Sequence, residues 1–332
     1  GVFQIPPEET AAAVKSALDI GYRHIDTAEM YQNEKGVGEG IRDAGIDRAE
    51  VYVTSKLNNG FHEPDHARRA IDETLAALGF DYVDLFLIHW PLPTLYDGDF
   101  VSTWKTLEEF TRDGRARSIG VSNFQVAHLQ RLAEETGTVP AVNQIEVHPY
   151  FANDEVRQYG RQHGIATEAW SPIAQGKVLD DPVITRIAEA TGESPAQVVL
   201  RWHIQRGDIV FPKSVTLQRI KDNFALFDFE LGSDDFDAIF VGAVGDPRVP
   251  DNRHARDILL GARFELDLYV NYRPVKLLAD RLCPLKNRGC ADVNFVVFRE
   301  NTEGLYMGIG GRFKAGTPDE VIASLQARVD AG

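Results

Sequence analysis

Basic residues are scarce in this chain of 332 residues, which has 35 Lys and Arg against 50 Asp and Glu and a formal net charge of −15. Nucleic acid is therefore an unfavourable partner, because its phosphates would be repelled. Long hydrophobic runs are also missing: no window approaches the roughly 18 apolar residues that span a membrane, and no signal peptide is visible at the start. These absences predict a cytoplasmic protein with no nucleic-acid or membrane partner.

Cysteine is rare as well, with only Cys283 and Cys290. The absence of a cysteine-rich framework fits a reducing compartment. The two residues are either a redox pair or two unrelated free thiols. His89 and His148 are single histidines on separate predicted strands, without the spacing of metal ligands. We therefore predict no metal site.

What the chain does have is an alternation of short apolar, β-branched runs and segments with helical periodicity. The runs read GVFQI, HIDTA, VYVTSKL, VDLFLIHW, RSIGVSNF, VNQIEVH, ATEAWSPI and DIVFPKS. Between them, segments such as PEETAAAVKSALDIG begin with Pro and Glu and end with Gly, as helices do. Eight strands alternating with helices over about 240 residues predict an α/β protein with a closed (β/α)₈ TIM barrel. The alternative is an open doubly wound sheet, but the glycine-rich turn expected after its first strand is missing.

Four polar side chains fall at or just beyond predicted strand ends. Asp26, Lys56 and His89 end the second, third and fourth strands, and Tyr31 lies in the loop after Asp26. Barrel enzymes carry their reacting groups at this end, so we expect the four to share one mouth. A tyrosine has a pKa of about 10, which a neighbouring ammonium would lower. The group therefore predicts a general acid, Tyr31, that protonates an oxygen oriented by His89.

Each of these residues also has a purely structural interpretation. Asp26 and Lys56 would form an ion pair at a strand end, His89 would be a core histidine beside Trp90, and Tyr31 would be a packing residue. The placement of all four on successive strand ends favours the catalytic interpretation.

Several motifs resemble the aldo-keto reductase family, and most of all its bacterial 2,5-diketogluconate reductase-like branch. They are GYRHIDTAEMYQNE, VYVTSKL, DYVDLFLIHWP, IGVSNF, NQIEVHPY and FPKSVTLQRIKDNF, in the family's order within residues 1–241. The resemblance implies a catalytic tetrad of Asp26, Tyr31, Lys56 and His89, with Tyr31 as proton donor. It also implies NADPH bound without a Rossmann fold, a carbonyl substrate (an aldehyde, ketone or keto-sugar acid) and a monomeric enzyme.

The same resemblance implies the cofactor contacts, from the nicotinamide carboxamide through its ring and the pyrophosphate to the adenosine end. Ser122, Asn123 and Gln144 would contact the carboxamide, Trp170 the nicotinamide ring and Ser171 the pyrophosphate. The adenosine end would be contacted by Lys213, Ser214, Val215, Arg219 and Asn223. Independently of the resemblance, a helix start carrying two cations, Lys213 and Arg219, suits a phosphate; a solvated basic turn is the alternative. Trp90, with Tyr22 or Phe124, is a candidate for shaping the substrate pocket.

The chain departs from that family at both ends. The family's N-terminal hairpin is missing before GVFQ, and the strand–helix alternation stops near residue 242. Residues 243–332 resemble the isopropylmalate, isocitrate and tartrate dehydrogenases, with substrate positions matched by Arg263, Arg273, Arg299 and Tyr306. That family's catalytic lysine and metal-binding aspartates have no counterpart here.

We therefore predict two domains, a barrel over 1–241 and a C-terminal α+β fragment over 242–332 that performs no decarboxylation. A join of two unrelated reading frames is favoured over a natural fusion. The leading function is NADPH-dependent carbonyl reduction. The alternatives are a non-catalytic scaffold that binds the cofactor and a decarboxylating dehydrogenase acting on 2-hydroxy acids.

Overall fold

A computed structural model describes residues 1–239 and, as backbone, four later strands. The chain divides into two compact units, Gly1–Gly242 and Ala243–Gly332. The first unit holds one parallel sheet of seven strands, which pair in chain order. The strands are β1 (His24–Asp26), β2 (Tyr52–Leu57), β3 (Val83–Ile88), β4 (Ala116–Ser122), β5 (Val142–Glu146), β6 (Ala166–Trp170) and β7 (Ile209–Val210). This curled parallel sheet is of the TIM-barrel class, as the alternation predicted.

Helices connect the strands of the first unit. They are α1 (Pro7–Ile20), α2 (Glu34–Asp43), α3 (Pro64–Leu78), α4 (Phe100–Arg112), α5 (Val126–Glu135), α6 (Asp154–His163), α7 (Pro182–Thr191), α8 (Pro195–Gln205), α9 (Leu217–Asp222) and α10 (Ser233–Ile239). Their ends follow local sequence rules. Ser194 and Gln197 form a reciprocal capping box at the start of α8, which satisfies amide groups that have no partner within the helix. Gly192 ends α7 with φ +76, a conformation that glycine adopts without strain.

The prediction of a first strand at GVFQI is wrong, because residues 1–6 are not in a strand. The Val2 amide donates to the Asp26 carbonyl at 3.0 Å, but the Ile5 amide turns back to the Val2 carbonyl. Pro6 and Pro7 follow, and proline has no amide hydrogen to donate to a ladder. A Cβ on Gly1 would lie 3.2 Å from Phe211 Cβ, so this short segment fills the space between β1 and the residue after β7.

A buried ionic cluster joins α6, α8 and β7. Arg157 donates to Asp208 Oδ1 through Nε at 2.9 Å, and His203 Nδ1 lies 3.0 Å from Asp208 Oδ2. The other nitrogen of His203 lies 3.1 Å from the Pro172 carbonyl, in the turn after β6. Arg157, His203 and Asp208 are all buried. Because buried charges persist only when they are paired and hydrogen bonded, these contacts fix the turn at Pro172 to α8 and β7.

Glycine in α2 allows close helix packing. A Cβ on Gly36 would lie 2.8 Å from Thr10 Cβ of α1, and one on Gly38 would overlap the backbone carbonyl of Leu78 at the end of α3. Backbone at that contact cannot give way as a flexible side chain would. The run GVGEG is thus explained by two neighbouring helices.

We expect Gly38→Ala to destabilise the protein by about 3 kcal/mol, because the added methyl group must displace α2 or α3. Denaturant unfolding of the full chain measures this change. Gly137→Ala is the matched control, since a Cβ there meets nothing within 4 Å. Equal stability of the two variants would contradict the packing argument.

The second unit is described through two antiparallel pairs. Strand β8 (Val270–Lys276) pairs with β9 (Asn294–Glu300), and β10 (Gly310–Phe313) pairs with β11 (Val321–Ser324). Two residues predicted from the dehydrogenase resemblance, Arg273 and Arg299, lie in β8 and β9. The others lie outside the described residues, as do both cysteines: Arg263, Tyr306, Cys283 and Cys290. Within the described part of the chain, no helix is long and apolar enough to cross a membrane.

Candidate active site

The structure brings the four residues of the predicted tetrad together at the carboxyl ends of β1, β2 and β3. Lys56 Nζ donates to Asp26 Oδ2 at 2.7 Å and to the Thr27 carbonyl at 2.8 Å, and it lies 3.5 Å from the Tyr31 hydroxyl. The Tyr31 and His89 rings meet edge to face, with centroids 5.9 Å apart. A lysine, a phenol and an imidazole therefore share one mouth.

Burial dominates the electrostatics of this group. Lys56 is fully buried and Asp26 nearly so. Burial alone would raise the pKa of Asp26, but the Lys56 ammonium and hydrogen bonds from Lys56 and Gln144 outweigh it and hold that pKa below its usual range. Burial alone would lower the pKa of Lys56, but the Asp26 charge raises it. The pair is therefore ionised, and each charge stabilises the other.

The expected lowering of the Tyr31 pKa is wrong for this structure. Burial raises the pKa of Tyr31, and the opposing effect of the Lys56 ammonium only partly offsets it. Burial, with a smaller contribution from Lys56, lowers the pKa of His89 to about 4. At neutral pH the phenol thus keeps its proton and the imidazole is uncharged.

The predicted carboxamide residues form one hydrogen-bonded network with the tetrad. Asn123, at φ +63, donates to the His89 carbonyl at 2.9 Å and to Ser122 Oγ at 3.1 Å. Its Oδ1 accepts from the Trp170 indole at 3.0 Å. Asparagine tolerates the left-handed conformation better than most residues, and this conformation turns its amide back towards the ends of β3 and β6.

Gln144 joins the network to Asp26 from the opposite side of the barrel. Its Nε2 donates to Asp26 Oδ2 at 2.8 Å and to Glu168 Oε2 at 2.8 Å. Glu168, on β6, is buried. Burial, followed by the nearby Asp26 charge, raises the pKa of Glu168 to about 8. Sequence reasoning missed this residue. Its signal was an acid in the middle of an apolar strand, paired in register with Gln144.

The predicted adenosine-end residues follow β7, at the same edge of the sheet. Lys213, Val215 and Arg219 are exposed, while Ser214 and Asn223 are partly buried. Within residues 1–239, neither Lys213 nor Arg219 forms an ion pair with an acidic side chain. Two cations without a carboxylate partner remain available for an anionic ligand. Ser171, at φ +49, begins the turn after β6.

The pocket candidates separate into exposed and buried residues. Trp90 is 41% exposed beside His89, and Phe3, 54% exposed, lies with its ring centroid 5.0 Å from that of Tyr31. Phe124 is fully buried, so its assignment to the pocket is wrong. Tyr22 donates its hydroxyl to the Ile220 carbonyl of α9, beside the predicted adenosine end. Trp90 and Phe3 therefore supply apolar surface at the mouth.

Comparison with known proteins places this geometry in a family. The aldo/keto reductase family model matches residues 3–240, and the isocitrate/isopropylmalate dehydrogenase model matches residues 231–328. An aldo-keto reductase of Mycolicibacterium smegmatis is 51% identical over 253 residues, 76% of this chain and 91% of that protein. The methylglyoxal reductase DkgA of Escherichia coli is 45% identical over 241 residues, 72% of this chain and 86% of that protein.

Solved structures give the same result. An aldo/keto reductase from Brucella melitensis superposes with a TM-score of 0.69 at 51% identity, over 72% of this chain and 92% of that one. A mutant of Gox0644 in complex with NADPH superposes with a TM-score of 0.69 at 47% identity, over 72% and 86%. The chain belongs to the aldo/keto reductase family. The predictions of that family, of an NADPH-dependent oxidoreductase and of a segment related to the isopropylmalate dehydrogenases are confirmed.

Proposed function

We propose that this chain reduces a small aldehyde or ketone to the alcohol in the cytoplasm, as a monomer, with Tyr31 as the proton donor. The observation that carries the proposal is the convergence of Asp26, Lys56, Tyr31 and His89 at one edge of the sheet, with Lys56 Nζ 3.5 Å from the Tyr31 hydroxyl. NADPH supplies the hydride when bound. The name of the relative DkgA makes methylglyoxal the first substrate to test, followed by keto-sugar acids.

Tyr31 gives its proton to the substrate oxygen as negative charge builds there. The phenolate left behind lies beside the Lys56 ammonium, and this attraction stabilises it. Asp26 keeps Lys56 charged and fixes its position through the 2.7 Å contact. The ammonium is thus arranged before the reaction begins, which removes the cost of reorganising it at the transition state.

His89 orients the substrate oxygen. Its imidazole is neutral near pH 7, because burial lowers its pKa to about 4. Nδ1 is buried without a hydrogen-bond partner in the described part of the chain. An unpaired buried donor is costly, so the proton belongs on Nε2. This tautomer provides a donor for a carbonyl oxygen.

The residues present fit a nicotinamide cofactor. Ser122, Asn123 and Gln144 form a cluster of amide and hydroxyl groups connected to the tetrad, and Trp170 is held next to them by its bond to Asn123. Amide and hydroxyl groups recognise a carboxamide, and an indole stacks on a flat ring. Ser171 and Ser214 offer hydroxyl groups farther along, with Val215 and Asn223 beside them. These residues would hold NADPH.

The assay that tests the proposal is NADPH oxidation by the purified full chain with methylglyoxal, other aldehydes and keto-acids. We expect turnover with one or more of them. Tight NADPH binding without turnover would favour a cofactor-binding scaffold. Metal-dependent reduction of NAD by malate-like substrates would instead favour the dehydrogenase alternative.

We expect Lys213→Ala and Arg219→Ala each to raise the KM for NADPH by about ten- to a hundredfold, the effect of losing a charge-assisted hydrogen bond to phosphate. The KM for NADH, which has no 2′-phosphate, should be unchanged. Lys221→Ala is the matched control, because Lys221 is an exposed lysine of α9, the helix that carries Arg219, and is not assigned to the cofactor. An equal loss for NADPH and NADH would contradict a 2′-phosphate role.

A further inference from the structure

One amide group in the barrel has its orientation dictated by its surroundings. The terminal nitrogen of Gln144 lies 2.8 Å from Asp26 Oδ2 and 2.8 Å from Glu168 Oε2. Asp26 is ionised and only accepts hydrogen bonds. If the amide were rotated by 180°, its oxygen would face Asp26 Oδ2, which has no proton to donate. The nitrogen must therefore point at the two acids and Oε1 must point away from them.

The side chain of Glu168 has one hydrogen bond in the described part of the chain, from Gln144. Two residues farther along β6 lies Trp170. Asp26 already accepts from Lys56 on the same oxygen, Oδ2. Without Glu168, one of the two N–H groups of Gln144 would lose its acceptor, and Asp26 alone would hold the amide.

Asn123 and Ser122, the other two predicted carboxamide residues, also have hydrogen-bond acceptors to spare next to Gln144. The two N–H groups of Asn123 are used by the His89 carbonyl and Ser122 Oγ, and the Ser122 hydroxyl donates to the Gln144 carbonyl at 2.8 Å. With Gln144 fixed, the spare hydrogen-bonding capacity of all three side chains consists of oxygen lone pairs. Such a site selects a ligand that presents N–H donors.

We infer that Glu168 is a positioning residue: it holds the amide of Gln144 so that Oε1 accepts from the amino group of the cofactor's carboxamide. This inference rests on the proposed function, because it takes the nicotinamide to lie at Ser122, Asn123 and Gln144. Glu168 itself touches neither cofactor nor substrate. Its effect is selectivity for a carboxamide over a group of the same shape that lacks N–H donors.

The test compares binding of NADP⁺ with binding of its 3-acetylpyridine analogue, in which a methyl group replaces the carboxamide amino group. Kd is measured by quenching of tryptophan fluorescence in the full chain. The wild-type protein should bind NADP⁺ about tenfold more tightly than the analogue, the value of one oriented hydrogen bond. Glu168→Leu should lose that preference, through weaker binding of NADP⁺ with binding of the analogue unchanged.

Three further variants make the result specific. Glu168→Gln keeps an acceptor for Gln144 and should retain the preference. Gln144→Leu should lose it, and adding Glu168→Leu to that variant should change nothing more. Glu34→Leu is the matched control: Glu34 is another buried acid of the same unit, its carboxyl group accepts from the Ser55 hydroxyl at 2.6 Å, and it lies outside the carboxamide residues.

The outcomes separate this inference from the proposed function. A wild-type protein that binds both ligands equally, or a Gln144→Leu variant that keeps the preference, would overturn the cofactor assignment and this inference with it. If Gln144→Leu loses the preference but Glu168→Leu keeps it, or if Glu168→Leu weakens both ligands equally, the cofactor assignment stands and the positioning role of Glu168 is refuted.

Discussion

Tyr31→Phe should lower kcat for carbonyl reduction by about 10²- to 10⁴-fold, the contribution of a positioned general acid. The variant removes one oxygen from a ring that is otherwise held by packing, with its centroid 5.0 Å from the Phe3 ring. The Lys56–Asp26 pair is left in place. The Kd for NADPH should therefore change by less than about twofold, since the loss falls on the chemical step.

Tyr52→Phe is the matched control for Tyr31→Phe. Tyr52 begins β2, the strand that carries Lys56, but it lies at the opposite end of that strand from Lys56. Its hydroxyl lies 3.2 Å from Ser118 Oγ of β4. We expect activity close to wild type. Turnover by Tyr31→Phe at the wild-type rate would remove Tyr31 as the acid and leave the shared mouth without its proposed proton donor.

Lys56→Met should be the most destabilising of the substitutions considered, at about 3–5 kcal/mol, because it leaves Asp26 buried without its cation. Asp26 is only 5% exposed, so water cannot replace the lost partner. Reduction should also fall steeply, since the phenolate of Tyr31 loses its stabilising charge. Denaturant unfolding and the NADPH assay measure the two effects separately.

The double variant Asp26→Leu/Lys56→Met separates stability from catalysis. Removing both charges should restore most of the stability, because no unpaired buried ion remains. Activity should stay low, because no ammonium remains beside Tyr31. A double variant as unstable as Lys56→Met alone would show that the stability loss arises from packing and not from the unpaired charge.

Much of the first unit could be predicted from the sequence because its signals are local. Apolar, β-branched runs bounded by turn residues marked β1 to β7, and the strand ends marked Asp26, Lys56 and His89. The failure at GVFQI is instructive, since its composition suits a strand. The Ile5 amide donates to the Val2 carbonyl within a turn, and Pro6 and Pro7 have no amide hydrogen. Strand pairing therefore does not continue beyond Val2.

Glu168 could not be predicted because its meaning depends on distant partners. Its neighbour Gln144 comes from the adjacent strand, and Asp26 comes from a strand 118 positions away from Gln144. An acid in an apolar strand marks Glu168 as unusual, but it does not identify the residues that Glu168 contacts. The Tyr31 pKa failed for a related reason: the sequence identified the ammonium that lowers it but not the depth of burial that raises it.

The imidazole of His203 has a consequence for motion within the first unit. It connects α8, the start of β7 and the Pro172 carbonyl, and Trp170 and Ser171 immediately precede that proline. The rates of amide hydrogen exchange in α8, at the start of β7 and in the turn at Pro172 should therefore rise or fall together. The turn at Pro172 is thus held to the interior of the first unit, whereas Lys213 and its exposed neighbours after β7 have few hydrogen bonds within residues 1–239.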